Sequence, residues 1–262
     1  MHHILDGVDL TAGDLGRQLE EAAEREVRSR NLRTTAGLPA DAAGLAADLR
    51  RTAETPLFPG PRAPTLREMA AAGWATEMGF ELPVAVRQGS PGPLVATGDL
   101  ADLVKGHLSP GHPLAGYAEH LRRMAEARFR GYLTGVLDVA ARHPGTGAYW
   151  VLDYKTNRMF ASPGEEAAGA YRPGRLAQTM VDEDYVLQAL LYQVALHRYL
   201  RFRLAAYDPQ AHLGGALYLF LRGMTGPDTP EADGGRRGVF AWPAPTGLIA
   251  AVDDLLCRGR PA

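Results

Sequence analysis

The chain has 262 residues, 46% of them hydrophobic and 22% charged, and its formal net charge is −2. Such a composition supports a sizeable core and excludes a protein that grips nucleic acid over its whole surface, so contact with a polyanion needs a local basic patch or a metal site. The single cysteine, Cys257, excludes an internal disulfide and a cysteine-built zinc site and fits a reducing compartment.

The first residues carry neither a basic n-region nor an apolar h-region, and no run of 18 apolar residues occurs. A cytoplasmic protein with no signal peptide and no membrane partner is therefore expected. Residues 11–31 predict a charged helix capped by Thr11, with Leu15, Leu19, Ala22 and Val27 along one side. A second helix is predicted over residues 41–55, followed by a Pro-rich loop at 56–61. Residues 74–84 predict a strand and 94–96 a short one. A helix over 100–108 follows, and the chain breaks at 110–113. The clearest local feature is a hairpin, with strands at 129–141 and 148–156 around a Pro/Gly turn at 142–147. A Pro- and Gly-rich loop then leads to a long helix over 184–206. A buried strand at 214–221, a short strand at 238–242 and an amphipathic helix over 248–256 complete the order. Strands that are apolar on both faces predict an α/β fold, a mixed central sheet flanked by helices, in one domain spanning 1–262.

Three charges interrupt the apolar hairpin: Asp138 on the first strand, and Asp153 and Lys155 on the second. Strand residues two apart share a face, so Asp153 and Lys155 project together while Trp150, Leu152 and Tyr154 point the other way. A hairpin can bring Asp138 across from Asp153. Burying such charges costs several kcal/mol unless they pair or bind metal. One reading is an ion pair with a second acid reaching solvent. The other is a pair of oxygen ligands for a hard cation that polarises a phosphate, with a lysine that orients or deprotonates the attacking water. Only two of the 28 basic residues, Lys105 and Lys155, are lysines. An arginine cannot give up its proton as a desolvated lysine can, so Lys155 favours the second reading.

An acid on one strand and Asp-x-Lys on the next resembles the PD-(D/E)XK nuclease signature. The stretches around it, Gly131-Tyr132-Leu133-Thr134-Gly135-Val136-Leu137-Asp138 and Val151-Leu152-Asp153-Tyr154-Lys155-Thr156-Asn157, are more specific. With Leu187-Gln188-Ala189-Leu190-Leu191-Tyr192, Ala195-Leu196-His197-Arg198-Tyr199-Leu200 and the segment 214–223, they resemble in order and spacing the C-terminal nuclease domain of the RecB subunit of the RecBCD helicase–nuclease.

The resemblance implies a restriction-endonuclease-like PD-(D/E)XK core. It also implies a Mg²⁺-dependent DNA nuclease, with Mn²⁺ as a substitute, of the exonuclease V type and acting in double-strand break repair and recombination. Asp138, Asp153 and Lys155 match the catalytic residues. His2, Asp138, Asp153 and the backbone carbonyl of Tyr154 match the metal ligands, and the neighbouring His3 leaves a one-residue shift open. Gln188 and Tyr192 match a pair beside the active site, and Glu77 an acid on the first core strand that helps it. The implied partners are DNA, single-stranded at the active site, and helicase, RecC-like and RecD-like subunits. The chain carries no Gly-x-x-x-x-Gly-Lys-Ser/Thr phosphate loop, so the ATP motor is expected elsewhere and this chain is expected to be the nuclease domain alone. The competing reading is a catalytically idle nuclease-like module that docks on a helicase or DNA. Such copies lose an acid or the lysine, and this chain keeps them. Arginines mixed with aromatics at 122–123, 128–130 and 197–203 suit either a single-strand groove or a solvated face.

Overall fold

The computed structural model describes residues 2–30, 40–87, 90–91, 94–124, 127–161 and 167–258. Among the described residues, the first strand is preceded by helices α1 (His2–Asp6), α2 (Leu15–Ser29), α3 (Ala42–Glu54) and α4 (Leu66–Ala72). Strand β1 (Trp74–Val84) is followed by α5 (Thr97–His107) and α6 (Tyr117–Arg123), and then by the hairpin β2 (Gly131–Arg142) and β3 (Tyr149–Lys155). Helices α7 (Pro173–Asp182), α8 (Tyr185–Arg203) and α9 (Pro209–His212) lead to β4 (Leu213–Phe220), β5 (Val239–Trp242) and α10 (Thr246–Arg258). The five strands form one sheet in the order β1-β2-β3-β4-β5, antiparallel except for the parallel pair β3–β4. A parallel neighbour needs a long crossover, and α7 and α8 supply it.

Each face of the sheet is covered, as the apolar strands require. Helices α1 to α4 pack on one face, where Leu5, Leu19, Leu49 and Met69 meet Val139, Leu152, Leu217 and Leu219. Helices α5 to α8 and α10 pack on the other, where Val104, Leu121, Leu190 and Val252 meet Val151, Ala216 and Tyr218. Among the described residues no helix is long and apolar enough to cross a membrane.

The first long helix begins at Leu15 rather than at residue 11. The backbone N–H and the hydroxyl of Thr11 both donate to Asp9 Oδ1, at 2.9 and 2.6 Å, so Thr11 closes a turn instead of capping the helix. The predicted end at residue 31 lies outside the described residues. Helices α4, α6, α7 and α9 are additions to the predicted order. The first is opened by a capping box in which Thr65 and Glu68 exchange hydrogen bonds. Helix α7 begins with Pro173 in its first turn, where a missing N–H costs nothing.

One irregularity in the sheet matters for the site. In β2, Val139 and Ala141 face α1 to α4, yet Leu133 and Leu137, of the same parity, face the other helices. The faces switch at Asp138. Its neighbour β1 switches at Glu77, which adopts φ 51° in the left-handed region, and the cross-strand register resumes unshifted on either side. A period-2 strand can exchange faces only through such a local break, a device that re-aims side chains.

Candidate active site

The ladder between β2 and β3 runs from Arg142↔Tyr149 to Val139↔Leu152 and stops there. Beyond that point β2 continues with β1 alone, while β3 continues with β4, pairing Asp153 with Tyr218 and Lys155 with Phe220. Asp138 and Asp153 are thus the first residues past a fork. The hairpin does not hold them as a ladder pair. The backbone N–H of Tyr154, released from β2, donates instead to Asp138 Oδ2 at 3.2 Å. A buried N–H needs an acceptor, and here the carboxylate replaces the strand that has left.

Asp153 is 4% exposed and forms an ion pair with Lys155 Nζ at 2.7 Å. Burial pushes its carboxyl up to about 6, the nearby Asp138 pushes the same way, and Lys155 opposes both. Lys155 Nζ also donates to Gln188 Oε1 at 3.0 Å and lies 3.9 Å from the centre of the Tyr185 ring. The Tyr218 hydroxyl donates to the same Gln188 oxygen at 3.0 Å, and Gln188 Nε2 donates to the Tyr192 hydroxyl at 2.9 Å. The amide of Gln188 is therefore fixed in one orientation, and its oxygen holds the lysine. Helix geometry makes this possible, because Gln188 and Tyr192 are one turn apart on the side of α8 that meets the fork.

Opposite α8, the end of α1 brings Asp6 to Asp138 and Glu77. Burial, then Asp138, then Glu77 raise its carboxyl to about 6, and its Oδ1 is buried with no hydrogen-bond partner among the described residues. The Tyr154 ring lies on this side of the sheet, and burial followed by Asp6 and Asp138 pushes its phenol well up. Glu77 is exposed at the face switch of β1. The side chain of His2 lies outside the described residues. His3 is exposed in α1.

The fold thus gathers Asp138, Asp153, Lys155, Gln188 and Tyr192, with Glu77 at the margin. Sequence reasoning did not single out Asp6, Tyr185 or Tyr218. Asp6 had a readable signal, an acid four residues after His2 on a short helix. Tyr185 and Tyr218 had none, because only the packing of α8 on β4 brings their rings to Lys155.

Among the described residues no three histidine, cysteine or acidic side chains close into a ready metal cage. The donor chemistry nevertheless fits a hard cation. The Asp6 and Asp153 carboxyls are raised by burial and by a neighbouring acid, and Asp6 Oδ1 is buried without a hydrogen-bond partner among the described residues. A divalent ion at the fork would offset this crowding of negative charge.

Three arginines of the basic runs are engaged within the fold. Arg122 donates to Asp102 and to Glu119 at 2.7 Å each, and Arg198 and Arg201 both bind the buried Asp253.

No protein-family model matches the chain. Among curated proteins it is similar to RecBCD enzyme subunit RecB of Mycobacterium tuberculosis (strain CDC 1551 / Oshkosh), with 42% identity over 269 aligned positions that take in 99% of this chain and 23% of the relative. The same-named subunit of Mycolicibacterium smegmatis is 40% identical over 100% of this chain and 24% of its own length. That of Escherichia coli (strain K12) is 35% identical over 73% of this chain and 14% of its own length. The chain spans about a quarter of the length of the mycobacterial relatives it matches.

Proposed function

This chain is homologous along its whole length to part of the RecB subunits of RecBCD enzymes, and from that premise we propose that it is a metal-dependent DNA nuclease domain. The observation that carries the reading is the fork, where Asp138 and Asp153, just past the end of the β2–β3 ladder, meet a lysine held by a fixed amide. Asp138 and Asp153 would hold Mg²⁺, with His2 and the Tyr154 carbonyl as further ligands, and Mn²⁺ would substitute. When bound, the ion supplies charge to a phosphoryl oxygen and to the attacking water.

The protein's own part lies with Lys155. Its ammonium has three N–H groups, of which Asp153 and Gln188 take two, so one remains to hold a water or a phosphate oxygen. Asp153 and the Tyr185 ring keep the cation at the fork, and Gln188 fixes its direction. Only the neutral amine, after Lys155 has given up a proton, would accept the one that the attacking water loses. Glu77 and Asp6 tune the field around Asp138. The reading extends to a RecBCD-type role in double-strand break repair and recombination, in the cytoplasm, with helicase, RecC-like and RecD-like subunits as partners.

The test is cleavage of end-labelled single-stranded DNA with Mg²⁺, with excess EDTA, and by Lys155→Ala. Cutting that needs Mg²⁺ and Lys155 supports the proposal. A folded protein that binds DNA and cuts nothing would instead be an idle docking module.

A further inference from the structure

Beside Lys155 lies a feature that phosphodiester cleavage alone does not require. An open cavity of about 310 Å³ sits between β1, β2 and α8, walled by Phe80, Leu133, Gly135, Leu187, Leu191 and Tyr192. Phe80 and Tyr192 meet edge to face with their centres 5.9 Å apart. Gly135 is paired across the strands with Phe80, and a Cβ there would lie 2.5 Å from the end of the Phe80 ring. The glycine therefore lets that ring lie across β2 as the cavity wall. Leu187 with Leu191, and Gln188 with Tyr192, are pairs one turn apart on the same side of α8. One helix face thus carries both the apolar wall of the cavity and the amide that holds Lys155. Another cavity of about 310 Å³, against Val239 and Phe240 of β5, shares no residue with the fork.

We infer that the cavity beside Lys155 takes the base of a nucleotide next to the bond being cut, on a strand that is unpaired at that point. This rests on the nuclease reading. A phosphodiester presented to Asp138 and Asp153 carries a sugar and a base on each side, and the cavity begins at Gln188 and Tyr192, which border the fork. Its size is at the lower end of small-molecule sites, roughly 300–1,000 Å³, which suits one planar heterocycle. Aromatic and aliphatic walls match the faces of a base. The Gln188 amide already uses its oxygen for two donors and its nitrogen for Tyr192, so it has little left to read a base edge. Recognition is therefore by shape and apolar burial, which every base offers. A base held in a duplex cannot enter without leaving its stack, so the cavity selects strands already separated.

The experiment measures binding of a short single-stranded DNA, without metal, by fluorescence anisotropy. The intact strand is compared with strands in which one base at a time is replaced by an abasic analogue. Wild type is expected to show a weakening of roughly tenfold at one position and little elsewhere. Leu191→Trp, or Leu187→Trp if the first fails to melt cooperatively, fills the cavity. The variant should bind the intact strand about as weakly as wild type binds the abasic one, and it should lose the discrimination. No abasic penalty at any position, or a penalty retained by a folded cavity-filled variant, overturns the inference and leaves the cavity to an apolar side chain of a partner protein. Mg²⁺-dependent cleavage of the intact strand, measured in parallel, judges the nuclease reading separately. Cutting without an abasic penalty sinks the cavity alone, and a penalty without cutting sinks the nuclease alone.

Discussion

Replacing Gln188 by leucine removes three hydrogen bonds while keeping the volume close to that of the amide. The Tyr218 hydroxyl, on a residue with 0% exposure, loses its acceptor, and an orphaned buried donor costs about 1–3 kcal/mol. Lys155 loses one of its two protein acceptors, and a bond to a charged group contributes about 1.5–3 kcal/mol. The half-buried Tyr192 hydroxyl can turn to water and adds little. Because Lys155 keeps Asp153 and the Tyr185 ring, the total should be about 3 kcal/mol, which lowers the melting temperature by roughly 6–12 °C. The lysine would also lose its fixed direction, so kcat for DNA cleavage should fall about 100-fold with KM nearly unchanged. Gln188→Glu separates the two effects. Its carboxylate still accepts from Lys155 and Tyr218, and the Tyr192 hydroxyl can turn to donate. Its melting point should stay nearer the wild type than that of Gln188→Leu. The added negative charge would bind the Lys155 ammonium more tightly and draw it from the attacking water, so cutting should still fall below wild type. Thermal unfolding and single-turnover cleavage measure both variants. A Gln188→Leu protein that melts within about 2 °C of wild type and cuts at the wild-type rate refutes the network.

Three further outcomes follow from the site. Lys155→Arg should fold and bind DNA yet cut no better than Lys155→Ala, because a guanidinium neither accepts the proton nor fits the ammonium's place; full activity in the arginine variant would leave Lys155 only an electrostatic role. Asp153 and Asp6 are both held near 6, above their ordinary value of 3.8, so the fold favours their protonated forms. That contribution is full below about pH 4 and is lost as pH rises through about 6, amounting to about 3 kcal/mol for Asp153. A divalent ion offsets the loss, so Mg²⁺ should raise the melting temperature more at about pH 8 than at about pH 5, and an equal rise at both would contradict the linkage. Asp6→Asn removes a charge that faces Asp138 and Glu77, so in EDTA at about pH 8 it should melt above wild type; a lower melting point would mean that Asp6 is held by a partner rather than repelled.

Much of this architecture was legible in the sequence because the signals were local. Charges inside apolar strands marked Asp138, Asp153 and Lys155, a Pro/Gly turn marked the hairpin, and the family resemblance pointed to Gln188 with Tyr192. Helices α4 and α7 were hidden in Pro- and Gly-rich surroundings, although Thr65 and Glu68 spell a capping box. The fork was not legible. Alternation along 131–142 reads as one continuous strand, and nothing in its composition says that the two ends face opposite helices. Glu77 is no glycine or asparagine, so its left-handed backbone carries no sequence signal. The rings of Tyr185 and Tyr218 around Lys155 follow from tertiary packing, which one sequence does not reveal.

The central claim is that the fork of β2 and β3 is a divalent-metal site at which DNA is cut. Anomalous scattering from a crystal of the protein soaked in Mn²⁺ tests it most directly. The account predicts a strong peak within bonding distance of both the Asp138 and Asp153 carboxylates, which disappears in Asp138→Ala. A crystal with intact Asp138 and Asp153 that shows no peak there, or shows its peaks only elsewhere, would contradict it.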